Sequence, residues 1–200
     1  MKDGNLPFEH NHNHPSLPKQ MPSALQLVER ARKGDQSAFR LLVVQHERLV
    51  RATVMGMLGD TAEADDVCQE VFIRFYQSLS KFRGESEVGT YLCRIAINLC
   101  INEGKRRQRK TRWLSALGQE GHSEDREDPG RNPERQELED TLRKALQQID
   151  PEFRVVVVLR LIDGYSVKET AEILELPQGT IASRLARGQQ KLREILEKWL

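Results

Sequence analysis

The stretch Asp163–Glu194, D-G-Y-S-V-K-E-T-A-E-I-L-E-L-P-Q-G-T-I-A-S-R-L-A-R-G-Q-Q-K-L-R-E, sets out two helices and the turn between them. Ser166 with Glu169 three residues on forms a capping box, in which each side chain satisfies a backbone amide orphaned at a helix start. Val167, Thr170, Ala171 and Leu174 follow at helical spacing, and Leu176-Pro177 ends the run. Gln178 and Gly179 are expected to make the turn. A second helix then carries Ile181, Leu185, Gly188 and Leu192 on one stripe and Thr180, Ser183, Arg184 and Arg187 on the other. A short helix, a tight turn and a helix with a polar, basic outer face is the helix-turn-helix pattern, whose second helix enters the DNA major groove. A plain helical hairpin with a solvated charged face is the competing reading of this stretch taken alone.

Upstream, Leu138, Leu142, Ala145, Leu146 and Ile149 recur at helical spacing in a segment opening near Pro133. Asp150 is expected to cap the next helix and Pro151 to open it. The run Phe153, Val155–Leu159, Leu161 and Ile162 is almost wholly apolar; despite its β-branching, the cap and the proline argue for a buried helix. Residues 135–200 therefore read as a four-helix unit.

Further back, the charge is unevenly placed although the net charge is only +1. Lys105–Arg112 has six bases and no acid, whereas Glu120–Asp140 has nine acids against three arginines. Residues 113–134, rich in Gly, Asp, Glu and Pro with no apolar period, read as a flexible acidic linker. Residues 1–22 carry four prolines among Asn and His and read as a disordered tail. His10, His12 and His14 in that tail complete no closed ligand set, so no metal site and no cofactor is expected. Cys68, Cys93 and Cys100 lack metal-site spacing and read as core fillers in a reduced, cytoplasmic protein. No apolar run is long enough for membrane insertion.

The first unit, residues 23–112, contains four helices. A short one ends at Gly34, and Asp35 caps a longer one carrying Ala38, Phe39, Leu42, Leu49, Val50 and Val54, with His46 packed among apolar neighbours. The next is expected to start at Asp60-Thr61, with Glu63 completing the box, and to run to Phe82 on the stripe Val67, Val71, Phe75, Leu79, Phe82. Asp66, Gln69 and Glu70 share a different face. Paired-carboxylate catalysis there lacks a fixed His or Lys, and an acidic patch docking on a basic partner is more economical. After the loop Arg83–Thr90, a helix buries Leu92, Ile95, Ala96, Leu99 and Cys100. Its other ridge, Arg94, Asn98, Asn102, Lys105, Arg106 and Arg109, has the amides and guanidinium groups that bond base edges and phosphates. Tyr91 offers a face for an unstacked base.

Residues 24–198 resemble an extracytoplasmic-function (ECF) RNA polymerase sigma factor. D-D-V-C-Q-E-V-F-I-R-F-Y (Asp65–Tyr76) resembles that family's D-x-x-Q-E-x-F helix. F-R-G-E-S-E-V-G-T-Y-L-C-R-I-A-I-N (Phe82–Asn98) resembles its F-R-G-E-S-x-F-x-T-W-L-Y-R-I-A-x-N segment, and Ile149–Gly188 resembles its fourth region. Val88, Tyr91 and Cys93 depart from the family's aromatic, Trp and Tyr, and Ala182 and Ala186 stand where longer side chains are common.

The resemblance implies an all-α fold: two small helical domains joined by a flexible acidic linker, the second containing the helix-turn-helix. It implies a non-enzymatic promoter-specificity subunit. Asp66, Gln69 and Glu70 would dock on core RNA polymerase. Arg83, Ser86, Thr90, Tyr91, Arg94, Asn98, Asn102, Lys105, Arg106 and Arg109 would capture a flipped base and grip double-stranded promoter DNA with a melted non-template strand at the minus-10 element. Thr180, Ser183, Arg184 and Arg187 would read the minus-35 element. Members of that family are often held, some at the inner membrane, by an anti-sigma factor, and many serve stress, envelope or metal responses. A stand-alone helix-turn-helix regulator is the alternative; it leaves the Asp66–Glu70 face unused.

Overall fold

The computed structural model describes residues 22–116 and 133–199. The expected tail, with His10, His12 and His14, and all but the ends of the expected linker lie outside the described residues. The described chain is helical: α1 (Ala24–Arg32), α2 (Gln36–Leu58), α3 (Ala62–Ser78), α4 (Val88–Ala116), α5 (Pro133–Gln148), α6 (Pro151–Val157), a π-helical turn (Val158–Ile162), α7 (Val167–Leu174) and α8 (Gln178–Leu196).

Local chemistry accounts for most of these boundaries. Ser23 and Gln26 form a reciprocal box at the start of α1. The Asp35 carboxylate accepts from the Ser37 hydroxyl, from the Ser37 and Ala38 amides at 3.0 and 3.1 Å and from Arg30, and these bonds, the Ser37 hydroxyl foremost, hold its pKa far below the usual carboxylate range. Ser166 and Glu169 make the box at the start of α7, as the sequence indicates.

Other boundaries differ from expectation. Thr61 caps α3 alone, accepting from the Ala64 amide, while Glu63 turns to Arg107; the helix stops at Ser78, and a turn carries Leu79 and Phe82 into the core. Asp150 occupies the cap of α6 without bonding its amides, because its carboxylate pairs with Lys191 at 3.0 Å. The apolar run after Pro151 is not one α-helix. It widens at Val158–Ile162 into a π-turn, closed by the Asp163 amide on the Val158 carbonyl, and this leaves Leu161 and Ile162 exposed. Between α7 and α8 the turn lies at Glu175–Pro177, with Glu175 left-handed at φ 54°, and Gln178 already begins the helix.

In the first unit α2, α3 and α4 enclose Phe75, which is fully buried among Phe39, Phe82 and Tyr91 at ring-centroid distances of 6.0 to 6.2 Å. Cys93 and Cys100 are buried in that core, and burial pushes their thiols up to about 11 and 12, so they stay protonated fillers. In the second unit α8 crosses α6 at Gly188, where a Cβ would meet a Val157 methyl at 2.6 Å; only glycine permits that approach.

The two units share one continuous core. α2 lies against the π-turn at Gly56, whose Cβ would come within 2.8 Å of Val158. Arg154 reaches across to the Met57 carbonyl at 2.7 Å and also binds the Gln147 and Ile149 carbonyls, so it ties the ends of α2 and α5 together. Thr53 Oγ1 lies 2.8 Å from Asp163 Oδ2 and 3.0 Å from the Leu49 carbonyl. Its single hydroxyl proton is shared between these two acceptors, so the carboxylate is only partly satisfied.

Burial pushes Asp163 up to about 6 from 3.8. The docked state therefore binds this proton more tightly than the open chain, and docking is strongest below about pH 4 and weakens as the pH rises through about 6. Around it stand Thr53 of α2, the Cys93 thiol of α4 and the Tyr165 phenol, both raised by burial. Asp163→Asn is expected to raise the melting temperature at pH 7.5, by the equivalent of about 3 kcal/mol at most, and to leave it nearly unchanged at pH 3.5. Thermal melts of both chains at the two pH values check this.

Candidate nucleic-acid interface

α3 and α4 run side by side because Val67 and Val71 pack on the stripe of Leu92, Ala96, Leu99 and Cys100. Their outer edges leave an open groove of about 380 Å³ lined by Asp66 and Glu70 on one wall and Asn102, Arg106 and Arg109 on the other. The expected docking face and the expected DNA ridge thus meet along one groove. Asp66 and Gln69 are exposed, and Glu70 is tied to Arg74 at 2.7 Å.

The ridge is not uniform. Asn98, Asn102, Lys105 and Arg109 project freely, Arg106 leans on Glu103 at 2.8 Å, and Arg94 is drawn to the Glu172 carbonyl of α7 at 2.7 Å. Arg107, inside the basic tract, turns inward and donates to the Leu58 carbonyl, Thr61 Oγ1 and Glu63. It fixes the long α4 to the α2–α3 corner and so aims its neighbours outward. Its phase gives it away: Arg107 is seven residues beyond Cys100, on the buried stripe.

At the start of α4, Arg83 is exposed with a loose 3.9 Å approach to Glu85, and Ser86 and Thr90 are half-buried. Tyr91 packs on Phe82, with ring centroids 5.1 Å apart, so part of its ring serves the core. The residues expected to take a base lie together on this loop and first turn.

In the helix-turn-helix, Ile173 and Ile181 are buried, and Ala182, Ser183, Ala186 and Arg187 form an exposed strip. Thr180 is half-buried and its amide is already bonded to Pro177; the amides free to meet a phosphate are those of Gln178 and Gly179. Ser183 donates to the Thr180 carbonyl at 3.0 Å and keeps its acceptor lone pairs. Arg184 is swung aside onto Glu152 of α6 at 2.9 Å, which spacing on α8 alone cannot reveal. Sequence reading also missed Arg154, although a lone cation between Phe153 and Val155 is a usable signal of a buried anchor.

Among the described residues no three His, Cys, Asp or Glu side chains gather into a metal-sized cluster, and no helix is long and apolar enough to cross a membrane.

A helical core presenting a basic ridge, followed by a helix-turn-helix, defines a DNA-binding protein of the transcription machinery. Residues 42–110 match the family model of sigma-70 region 2, and residues 139–192 that of sigma-70 region 4. The chain is 34% identical over 182 residues to the RNA polymerase sigma-H factor of Pseudomonas aeruginosa, covering 88% of this chain and 94% of that protein. It is 34% identical over 177 residues to the ECF RNA polymerase sigma-E factor of Escherichia coli K12, covering 83% and 90%. Among solved structures, CnrH in complex with the cytosolic domain of CnrY superposes with a TM-score of 0.63 at 25% identity, over 88% of this chain and 97% of that one. The sigma factor RpoE of Bartonella quintana, in complex with the anti-sigma factor NepR, shares the fold at a TM-score of 0.64 and 21% identity, over 80% and 96%. The chain belongs to the ECF sigma factors, the alternative sigma factors that direct RNA polymerase to promoters. Sigma factors are initiation factors rather than enzymes.

Proposed function

We propose that residues 23–112 bind core RNA polymerase and the minus-10 element, and that residues 135–200 bind the minus-35 element. The single observation carrying this reading is the exposed helix-turn-helix strip of Ser183 and Arg187 behind a separate exposed basic ridge on α4. Asp66, Gln69 and Glu70 form the polymerase-docking face. The loop Arg83–Thr90 and Tyr91 take the flipped base, at a few kcal/mol of unstacking offset by pocket contacts. Arg94, Asn98, Asn102, Lys105, Arg106 and Arg109 follow the duplex backbone. The chain does no chemistry of its own, acts in the cytoplasm, serves a stress, envelope or metal response, and is restrained by an anti-sigma partner; one structural relative, RpoE of Bartonella quintana, was captured with the anti-sigma factor NepR.

Pull-down of bacterial core polymerase by the purified chain, followed by run-off transcription on fragmented genomic DNA, tests the reading. Saturable binding with discrete new start sites supports it. A shift of DNA by the chain alone, with no polymerase binding, favours the stand-alone regulator instead.

Charge reversal at the docking face is a sharper test. Asp66→Lys with Glu70→Lys is expected to weaken polymerase binding at least tenfold while the helical circular dichroism stays unchanged. Among the described residues the ion pair this removes is Glu70–Arg74, which is exposed and contributes under about 1 kcal/mol. Unchanged affinity in a fluorescence-anisotropy titration removes these residues from the docking face.

A further inference from the structure

Trp113 belongs to α4 and not to the expected linker, because the helix runs on to Ala116. Cys100 is the last fully buried residue of α4 among those described, and past the half-buried Arg107 every residue from Gln108 to Trp113 is exposed. This end of the helix therefore stands away from α2 and α3. Trp113 is 64% exposed, more than any other aromatic side chain among the described residues. Basic side chains near a helix C-terminus are stabilised by the dipole without any ligand. An indole gains nothing from the dipole, and here it joins neither hydrophobic core.

Lys110 and Arg109, three and four residues before Trp113, are its neighbours on the helix surface, and Arg106 lies about one turn further back. No acid occurs from Gly104 to Gln119, and Arg109 and Arg112 form no ion pair among the described residues. Tyr91 and Trp113 are 22 residues apart, about six turns, so the two positions fall on the same side of α4 about 33 Å from each other. Asn98, Asn102, Lys105 and Arg109 lie between them on that side. At about 3.4 Å of rise per nucleotide of one strand, this length matches about ten nucleotides. The bases of a duplex cover each other's faces, so an indole finds a plane to stack on only where a strand is unpaired. Rings flanked by cations hold single strands in this way, the ring on a base and the cations on the phosphates. A lipid surface asks instead for an apolar helix face, whereas the positions leading to Trp113 on its own face are Asn102, Arg106, Arg109 and Lys110.

We propose that Trp113, flanked by Lys110 and Arg112, is a second base-stacking platform for an unpaired base of a single-stranded polynucleotide, at the opposite end of α4 from Tyr91. The platform continues the α4 ridge and rests on the assignment of that ridge to nucleic acid. The chemistry it recognises is a free base face next to a phosphate, which melted DNA and RNA both present.

Trp199→Phe leaves Trp113 as the single tryptophan of the full chain and makes its fluorescence a direct readout. Oligothymidylate and oligouridylate of about fifteen nucleotides, long enough to run the length of the ridge, are expected to quench it at low salt. Trp113→Ala is expected to weaken binding of single strands about tenfold. Trp113→Phe is expected to keep most of the affinity, and neither change to alter the helical circular dichroism or the binding of a duplex. Arg112→Gln is expected to reduce the slope of log affinity against log salt by about 0.7. The stronger of the two arms assigns the source, the deoxy strand to melted DNA and the ribo strand to RNA. No quenching by either strand, quenching by phosphatidylglycerol vesicles alone, or an equal loss on duplex after Trp113→Ala overturns the platform. Asn98→Ala with Lys105→Gln separates it from the ridge. Strand affinity that falls in that pair but not in Trp113→Ala overturns the platform alone. Affinity that falls in Trp113→Ala but not in the pair removes the ridge assignment instead.

Discussion

Replacing Arg184 and Arg187 together by alanine is expected to abolish initiation that depends on a minus-35 element and to leave polymerase binding intact. The two side chains sit one turn apart on α8, but the structure gives them different standing. Arg187 is exposed and free, whereas Arg184 is held by Glu152 at 2.9 Å and is only partly exposed. A good bidentate contact with a base contributes about 1–3 kcal/mol, so loss of both costs about thirtyfold to twenty-thousandfold in minus-35 binding. Arg187→Ala alone should account for most of this. Arg184→Ala alone should matter less, because the arginine must first leave Glu152, a pair worth under about 1 kcal/mol at this exposure. Electrophoretic shifts with a minus-35 duplex, run beside polymerase anisotropy, separate the effects. Parallel loss of polymerase binding would mean misfolding rather than lost readout.

Gly188→Leu is expected to produce the same transcriptional failure by a different route. A Cβ at Gly188 lies 2.6 Å from a Val157 methyl and 3.4 Å from both the Cβ and the carbonyl oxygen of Phe153. The backbone cannot yield locally, so α8 must slide off α6 and uncover Phe153, Val157, Leu146 and Ile149. Overpacking of this kind costs about 1–3 kcal/mol, and more where backbone is in the way. The melting curve should fall and broaden, with minus-35 binding lost and polymerase binding through α3 retained. Gly104→Ala is the matched control: nothing lies within 4 Å of its Cβ, and the exchange should stabilise α4 by about 0.5–1 kcal/mol. A Gly188→Leu chain that melts like wild type would show that α8 does not depend on this contact.

The helices were legible in the sequence because the signals that set them are local: Ser23, Asp35, Ser166 and the apolar periods act within four residues of themselves. The helix-turn-helix and the exposed parts of both DNA surfaces follow from the same short-range reading. Illegible were features decided by contacts distant in the chain. Thr53 and Asp163 are 110 residues apart, Arg154 and Met57 97, and neither pair leaves a periodic trace. The π-turn is of this kind too: Val158–Ile162 is as apolar as a buried helix, and packing on α2 at Gly56 accompanies the widened turn. Arg184 was readable as a basic residue on a helix, but not as one whose charge is already engaged within the fold, whereas the inward turn of Arg107 left a trace in its phase with the buried stripe.

The glycine gap on α2 has a thermal consequence. The contact it makes with Val158 and Ile162 is apolar, and association of apolar surfaces near room temperature is driven by entropy with a large heat-capacity change. Such association weakens on cooling. The packing of the two units on each other therefore loosens in the cold and tightens toward moderate warmth, and how firmly they are held together becomes a function of temperature without any partner or ligand.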